Sequence, residues 1–192
     1  MVGAVLTQNT AWTNVERALL QLRQRVPLDA DALLALPESE LAALIRPAGY
    51  FNVKARRLRA FCEAFVAAGG EPALSALATP ALRDLLLGIH GVGPETADDM
   101  LLYAFERPVF VIDAYTRRLF GRLGLIDESA PYEALRRNFE QALAPDVALF
   151  NEYHALIVRH AKEVCRARDP RCQDCCLASS CQSKSRSSRP GR

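Results

Sequence analysis

Four cysteines near the C-terminus constrain this chain more than any other feature. Cys165, Cys172, Cys175 and Cys181 follow the spacing C-x6-C-x2-C-x5-C and fall within 17 residues. A loop this tight, containing Pro170 and Asp174, can turn four thiolates onto one point. Such a set holds a structural zinc ion or an iron–sulfur cluster. Zinc loops usually present two CxxC pairs, whereas only Cys172 and Cys175 form one here. Disulfides suit the chain less well. Residues 1–6 are apolar but lack a basic flank and a cleavage site, so no secretory signal is read. A cytoplasmic setting keeps thiols reduced and favours metal binding. Cys62 lies on an apolar helix face and reads as core, and Cys176 falls outside the pattern.

The rest of the chain points to an all-α fold. Ala, Leu and Arg dominate, and apolar residues recur at helical spacing almost throughout. The periodicity predicts helices near 2–25, 30–36, 38–46, 52–68, 72–77, 79–88, 94–106, 114–123, 131–143 and 146–164. Pro27, Pro37, Pro47, Gly69-Gly70, Gly91, Gly93, Pro108 and Pro145 mark the breaks. The run Val109–Ile112 is β-like but short, and reads as a buried extended link. No apolar stretch reaches the roughly 18 residues of a membrane span, so no membrane partner is expected. Net charge is +2, but residues 182–192 carry Lys184, Arg186, Arg189 and Arg192 without an acid. Removing those four from 24 basic residues leaves 20 against 22 acidic ones, a net −2. Any nucleic acid must therefore meet a local basic face rather than bulk charge. The basic tail 182–192 is expected to be disordered.

Two short segments carry candidate chemistry. The first is Gly88-Ile89-His90-Gly91-Val92-Gly93-Pro94-Glu95-Thr96, which reads as a tight turn between two apolar helices. Gly91 and Gly93 permit positive φ and close backbone approach, Val92 can plug the helix pair, and Pro94 suits the first helical position. The N–H groups that open the second helix can receive a phosphate. The second segment is Asp113, just past the apolar link. Asp is a favoured helix N-cap, and that is the plain reading of the residue by itself.

In combination, the glycine turn, the carboxylate 18 residues after Glu95 and the cysteine loop resemble the endonuclease III-like helix–hairpin–helix DNA glycosylases. The likeness covers residues 3–181. It implies a two-lobed all-α fold: a helical barrel lobe over 1–107, containing the helix–hairpin–helix at 79–106, and a second lobe over 108–181 with the essential Asp and a [4Fe-4S] loop. The lesion pocket would lie in the cleft between them. It also implies Cys165, Cys172, Cys175 and Cys181 as cluster ligands and Asp113 as the catalytic carboxylate. Double-stranded DNA with damaged bases is the implied partner of a monomer, located in the cytoplasm and on the nucleoid when bound. Family members carry further helical sequence upstream. Either the true start lies upstream, or the cluster lobe is short of one helix.

One departure matters for chemistry. Strand-cutting members place a nucleophilic lysine where this chain has Glu95, and a carboxylate cannot form the imine. Lys54, Lys162 and Lys184 are the only lysines. The expectation is a monofunctional glycosylase, with Glu95 either favouring the helix N-terminus or selecting a base. The segments around Glu95, Tyr103 and Tyr115 resemble the 3-methyladenine glycosylase branch. A bifunctional enzyme on oxidised pyrimidines and a non-catalytic iron–sulfur DNA-binding protein remain the alternatives. The hairpin residues Gly91, Val92, Gly93 and Thr96 are expected to meet DNA. So are Gln8 or Asn9, filling the gap left by a flipped base, and Tyr50, wedged into the stack. Lys54 and Arg56, with Arg57 and Arg59, are expected to track phosphates. Trp12 is expected in the core.

Overall fold

The computed structural model describes residues 1–183. The basic residues 184–192, which make up most of the tail expected to be disordered, lie outside the described residues. Helices α1 (Val2–Leu6), α2 (Trp12–Arg25), α3 (Ala30–Ala35), α4 (Glu38–Leu44), α5 (Phe51–Ala67), α6 (Gly70–Ser75), α7 (Thr79–Leu87) and α8 (Pro94–Ala104) build one compact unit, Met1–Phe105. A second unit begins at Glu106 and holds α9 (Ala114–Leu123), α10 (Tyr132–Ala142) and α11 (Val147–Glu163). Among the described residues there is no strand, and no helix is long and apolar enough to cross a membrane.

In the first unit α5 is the central helix. Ala55, Leu58, Phe61 and Cys62 recur at three- and four-residue steps and are buried, which turns one face of α5 inward. That helix packs against α1, α3, α4 and α6. Burial pushes the Cys62 thiol up to about 11, consistent with a core residue. The expected single helix over 2–25 is not formed. It breaks at Thr7, with Thr10 N–H bonding Thr7 O at 3.1 Å, and restarts at Trp12. The periodicity continues through the break, and no Gly or Pro marks it. Trp12 is a second correction. It is 45% exposed, lies over Gly3 and donates from Nε1 to Glu16 at 3.1 Å.

The second unit has an aromatic centre. Phe110 stacks on Phe139 with ring centroids 4.5 Å apart, and Phe150 meets Phe110 edge-on at 5.3 Å. Phe120 meets Phe139 edge-on at 4.7 Å. Each such pair adds about 0.5–1.5 kcal/mol beyond its area. Val109–Ile112 is buried and irregular, as its apolar run without a partner strand implied. Gly124, at φ +77°, ends α9 in the left-handed conformation, with Leu125 N–H returning to Phe120 O at 3.0 Å.

Candidate functional site

The hairpin between α7 and α8 is built from inside. Val92 is 6% exposed and plugs the two helices. Its neighbour Gly91 has φ +85°, and a Cβ there would land on the stem of Arg57. Gly93 differs from expectation. It is extended, with φ −95°, and a Cβ on it would meet nothing within 4 Å. The protein's own packing therefore requires glycine at 91 but not at 93. Pro94 opens α8, and Glu95 sits exposed in its first turn. Thr96 is turned inward, 6% exposed, so its side chain is not presented to a ligand. Ala97 N–H closes the first turn of α8 on Gly93 O at 2.9 Å.

Gln8 is not a free side chain. Its Nε2 donates to Gly91 O and to Thr96 Oγ1, both at 2.9 Å, and its Oε1 accepts from Arg57. Of the two amides weighed for gap filling, only Asn9 is exposed, and it is held at φ 53°. Tyr50 is 73% exposed at φ 45°, a rare conformation for a bulky residue. Such backbone outliers concentrate at functional loops.

Lys54 corrects the sequence reading most sharply. It is 2% exposed, and its Nζ donates to Leu6 O at 2.9 Å and Ala48 O at 2.7 Å. Burial, and secondarily the charge of Arg57, bring its pKa down to about 8. Arg59 is also turned inward, bonding the carbonyls of Leu34 (3.2 Å) and Leu36 (2.9 Å). Of the four cations expected on this stretch, Arg56 alone is exposed.

In the second unit, Asp113 caps α9 and accepts from Thr116 N–H at 2.7 Å. His154, from α11, places Nε2 3.6 Å from Asp113 Oδ2. Burial alone would raise the carboxyl. The facing His154 imidazole, with the Thr116 bonds, outweighs it and holds Asp113 below the usual carboxylate range. His154 is a partner that sequence reasoning missed. It shares a face with Phe150 and Ile157, at core spacing, and gives no signal apart from its being one of three histidines.

At the other end of α9, Arg122 reaches the cysteine loop. Its guanidinium donates to Arg166 O (2.8 Å), Ala167 O (3.1 Å) and Cys165 Sγ (3.3 Å). Arg118 adds bonds to Ala161 O and Cys165 O, at 2.9 and 3.0 Å. All four pattern cysteines line one cavity of about 200 Å³, with Leu119, Leu123 and Pro170. No three metal-binding side chains among the described residues converge on a single-ion point. Burial and the neighbouring Cys176, Cys165 and Cys181 push the Cys175 thiol up, so gathering thiolates here calls for positive charge. Arg166 and Arg171 pair with Asp169 and Asp174, and Arg159 with Glu163.

Comparison with known proteins bears on both units. Residues 2–145 match the family model described as HhH-GPD superfamily base excision DNA repair protein. The chain belongs to that superfamily. A Methanocaldococcus jannaschii protein, provisionally named a DNA repair glycosylase, is 46% identical over 187 residues, covering 96% of this chain and 84% of that protein. An H. pylori 3-methyladenine DNA glycosylase (MagIII) bound to 1,N6-ethenoadenine superposes with TM-score 0.74 at 27% identity, over 84% of this chain and 83% of that one. An endonuclease III–DNA complex superposes with TM-score 0.85 at 23% identity, over 98% and 84%, which is a likeness of fold. The chain is thus a DNA repair glycosylase of the HhH-GPD superfamily, with the fold of the endonuclease III-like group.

The two hairpin glycines of this glycosylase should separate on mutation. Gly91→Ala is expected to cost about 2 kcal/mol, from the left-handed backbone and the displaced Arg57 stem. Gly93→Ala should cost about 1 kcal/mol or less. Thermal melts of the two variants check this, and equal losses would refute the asymmetry.

Proposed function

We propose that this glycosylase is monofunctional, hydrolysing the N-glycosidic bond of damaged bases with Asp113 as its carboxylate, and that alkylated purines are among its substrates. The observation that carries the reading is the partly buried Asp113, which accepts from Thr116 N–H at 2.7 Å and faces His154 Nε2 at 3.6 Å. A carboxylate so held can stabilise the sugar cation as the base departs, or take a proton from an attacking water. The exposed Glu95 in the first turn of α8 supports hydrolysis over strand cutting, since it offers no amine. The open space beside Gly93 and the first N–H groups of α8 suit a DNA phosphate. Asn9 and Tyr50 suit the gap and the wedge, and Arg56 a flanking phosphate. The likeness to the 3-methyladenine glycosylase supports the substrate class.

We also infer a [4Fe-4S] cluster on Cys165, Cys172, Cys175 and Cys181. A cavity bounded by all four thiols, with the Arg122 guanidinium at one sulfur, suits an anionic group larger than a single ion. When bound, the cluster would cross-link the loop and supply a one-electron centre.

One observation favours a second reading. Lys162 Nζ lies 5.7 Å from the centroid of the Tyr115 ring, two residues past Asp113 on α9. A strand-cutting enzyme would draw its amine from here. A panel of lesion duplexes, assayed with and without alkali and with borohydride, decides between them. Base release that yields strand breaks only after alkali is expected. A borohydride-trapped covalent adduct, lost in Lys162→Ala, would replace the monofunctional reading with the second.

A further inference from the structure

Three loops of the first unit meet one turn of α5. The loop Thr7–Ala11 begins at Leu6, whose carbonyl accepts from Lys54. The turn Arg46–Ala48, which leads into Gly49 and Tyr50, ends at Ala48, whose carbonyl accepts from the same Nζ. The hairpin is reached through Arg57, one turn further along α5. Arg57 donates to Gln8, and Gln8 donates onward to Gly91 O and Thr96 Oγ1. Lys54 and Arg57 lie three residues apart and so share a helix face. The segments they join are 48 and 83 residues apart in sequence at Leu6–Lys54 and Gln8–Gly91.

A buried lysine is a costly way to fill space, and an apolar side chain of equal volume commonly serves stability as well. What an ammonium adds is geometry, because it bonds two carbonyls on different loops at once. Asn9 lies three residues after the first of those carbonyls and Tyr50 two after the second, both held at positive φ and both exposed. We propose that Lys54, Arg57 and Gln8 form a brace that holds the gap-filling loop, the wedge loop and the hairpin in one register, so that phosphate capture at the hairpin and insertion of Asn9 and Tyr50 into the duplex occur as a single event. This rests on the roles given above to Asn9 and Tyr50. Lys54 is then a positioning residue, not a phosphate contact.

The test uses the full-length protein as isolated and reads binding and base extrusion, not excision. Lys54→Met, Gln8→Leu and Tyr50→Ala are compared, with the double variant Lys54→Met/Tyr50→Ala. Affinity is measured for an undamaged duplex and for one with a tetrahydrofuran abasic site, across a salt series. Extrusion is followed by 2-aminopurine fluorescence at the lesion pair. The brace predicts that Lys54→Met changes undamaged-duplex affinity by about 2-fold or less and leaves the salt slope intact. Preference for the abasic duplex and the extrusion signal should fall about 10-fold. Adding Tyr50→Ala should cost little more, because both variants remove the same insertion. A salt slope lowered by about one would make Lys54 a phosphate contact and overturn the brace. Unchanged extrusion, or independent losses in the double variant, would also overturn it. If Lys54→Met does not fold, Gln8→Leu must reproduce the split or the proposal fails. A wild-type protein that extrudes bases yet releases none would sink the glycosylase mechanism and leave the brace standing.

Discussion

Asp113→Asn should abolish base release, by on the order of 10²- to 10⁴-fold, while costing in stability only what the lowered carboxylate pKa contributes. The two halves of that expectation come from different atoms. Asn caps a helix about as well as Asp, so the bond to Thr116 N–H and the start of α9 survive. What disappears is the charge. The comparison is single-turnover base release against thermal melting, and a variant that keeps wild-type rates would remove Asp113 from the mechanism. The same carboxylate sets a pH dependence. Its folded pKa lies below the ordinary value, so it is charged at neutral pH and activity falls only as pH drops through that lowered value. The sign for stability is the same: the contribution is present above the unfolded value of about 3.9 and lost as pH falls through the folded one. His154→Leu removes the main group opposing burial. The acid limb of the rate profile should then move to higher pH, and an unmoved limb would show that His154 does not act on Asp113.

Cys172→Ala should empty the C-terminal loop of iron. Iron and sulfide content should fall from about four atoms each per chain to near zero, and visible absorption should vanish. No residue from 165 to 183 is buried, and bonds to Arg118, Arg122 and His160 tie the loop to α9 and α11. Losing a ligand to a structural metal centre removes several kcal/mol, which in a chain of this size lowers the melting temperature by about 10 °C. Limited proteolysis should then cut just after α11. Metal analysis finding one zinc and no iron in the wild type would overturn the cluster.

The sequence disclosed these elements unevenly, and the reasons are physical. The hairpin and the Asp113 cap were legible because turns and caps are local, each set within a few residues. The break at Thr7–Ala11 was not, since apolar spacing runs through it and its end is fixed by Lys54 from 48 residues away. Lys54 itself sits among Arg56, Arg57 and Arg59, a stretch that reads as a solvated basic face. Only tertiary partners show that one of the four points outward. His154 was hidden by its spacing with Phe150 and Ile157, which marks a core position. Gly91 and Gly93 look equivalent in sequence, yet only one has a left-handed backbone.

Arg83 on α7 grips Asp98 on α8 through two bonds, 2.7 and 3.2 Å, with the Asp98 side chain fully buried. Mobile ions screen such a sheltered pair far less than charges in open water. Raising ionic strength should therefore leave the angle between these helices unchanged while it weakens DNA binding. For this protein the slope of log affinity against log salt counts displaced counterions, uncontaminated by loosening of the binding element.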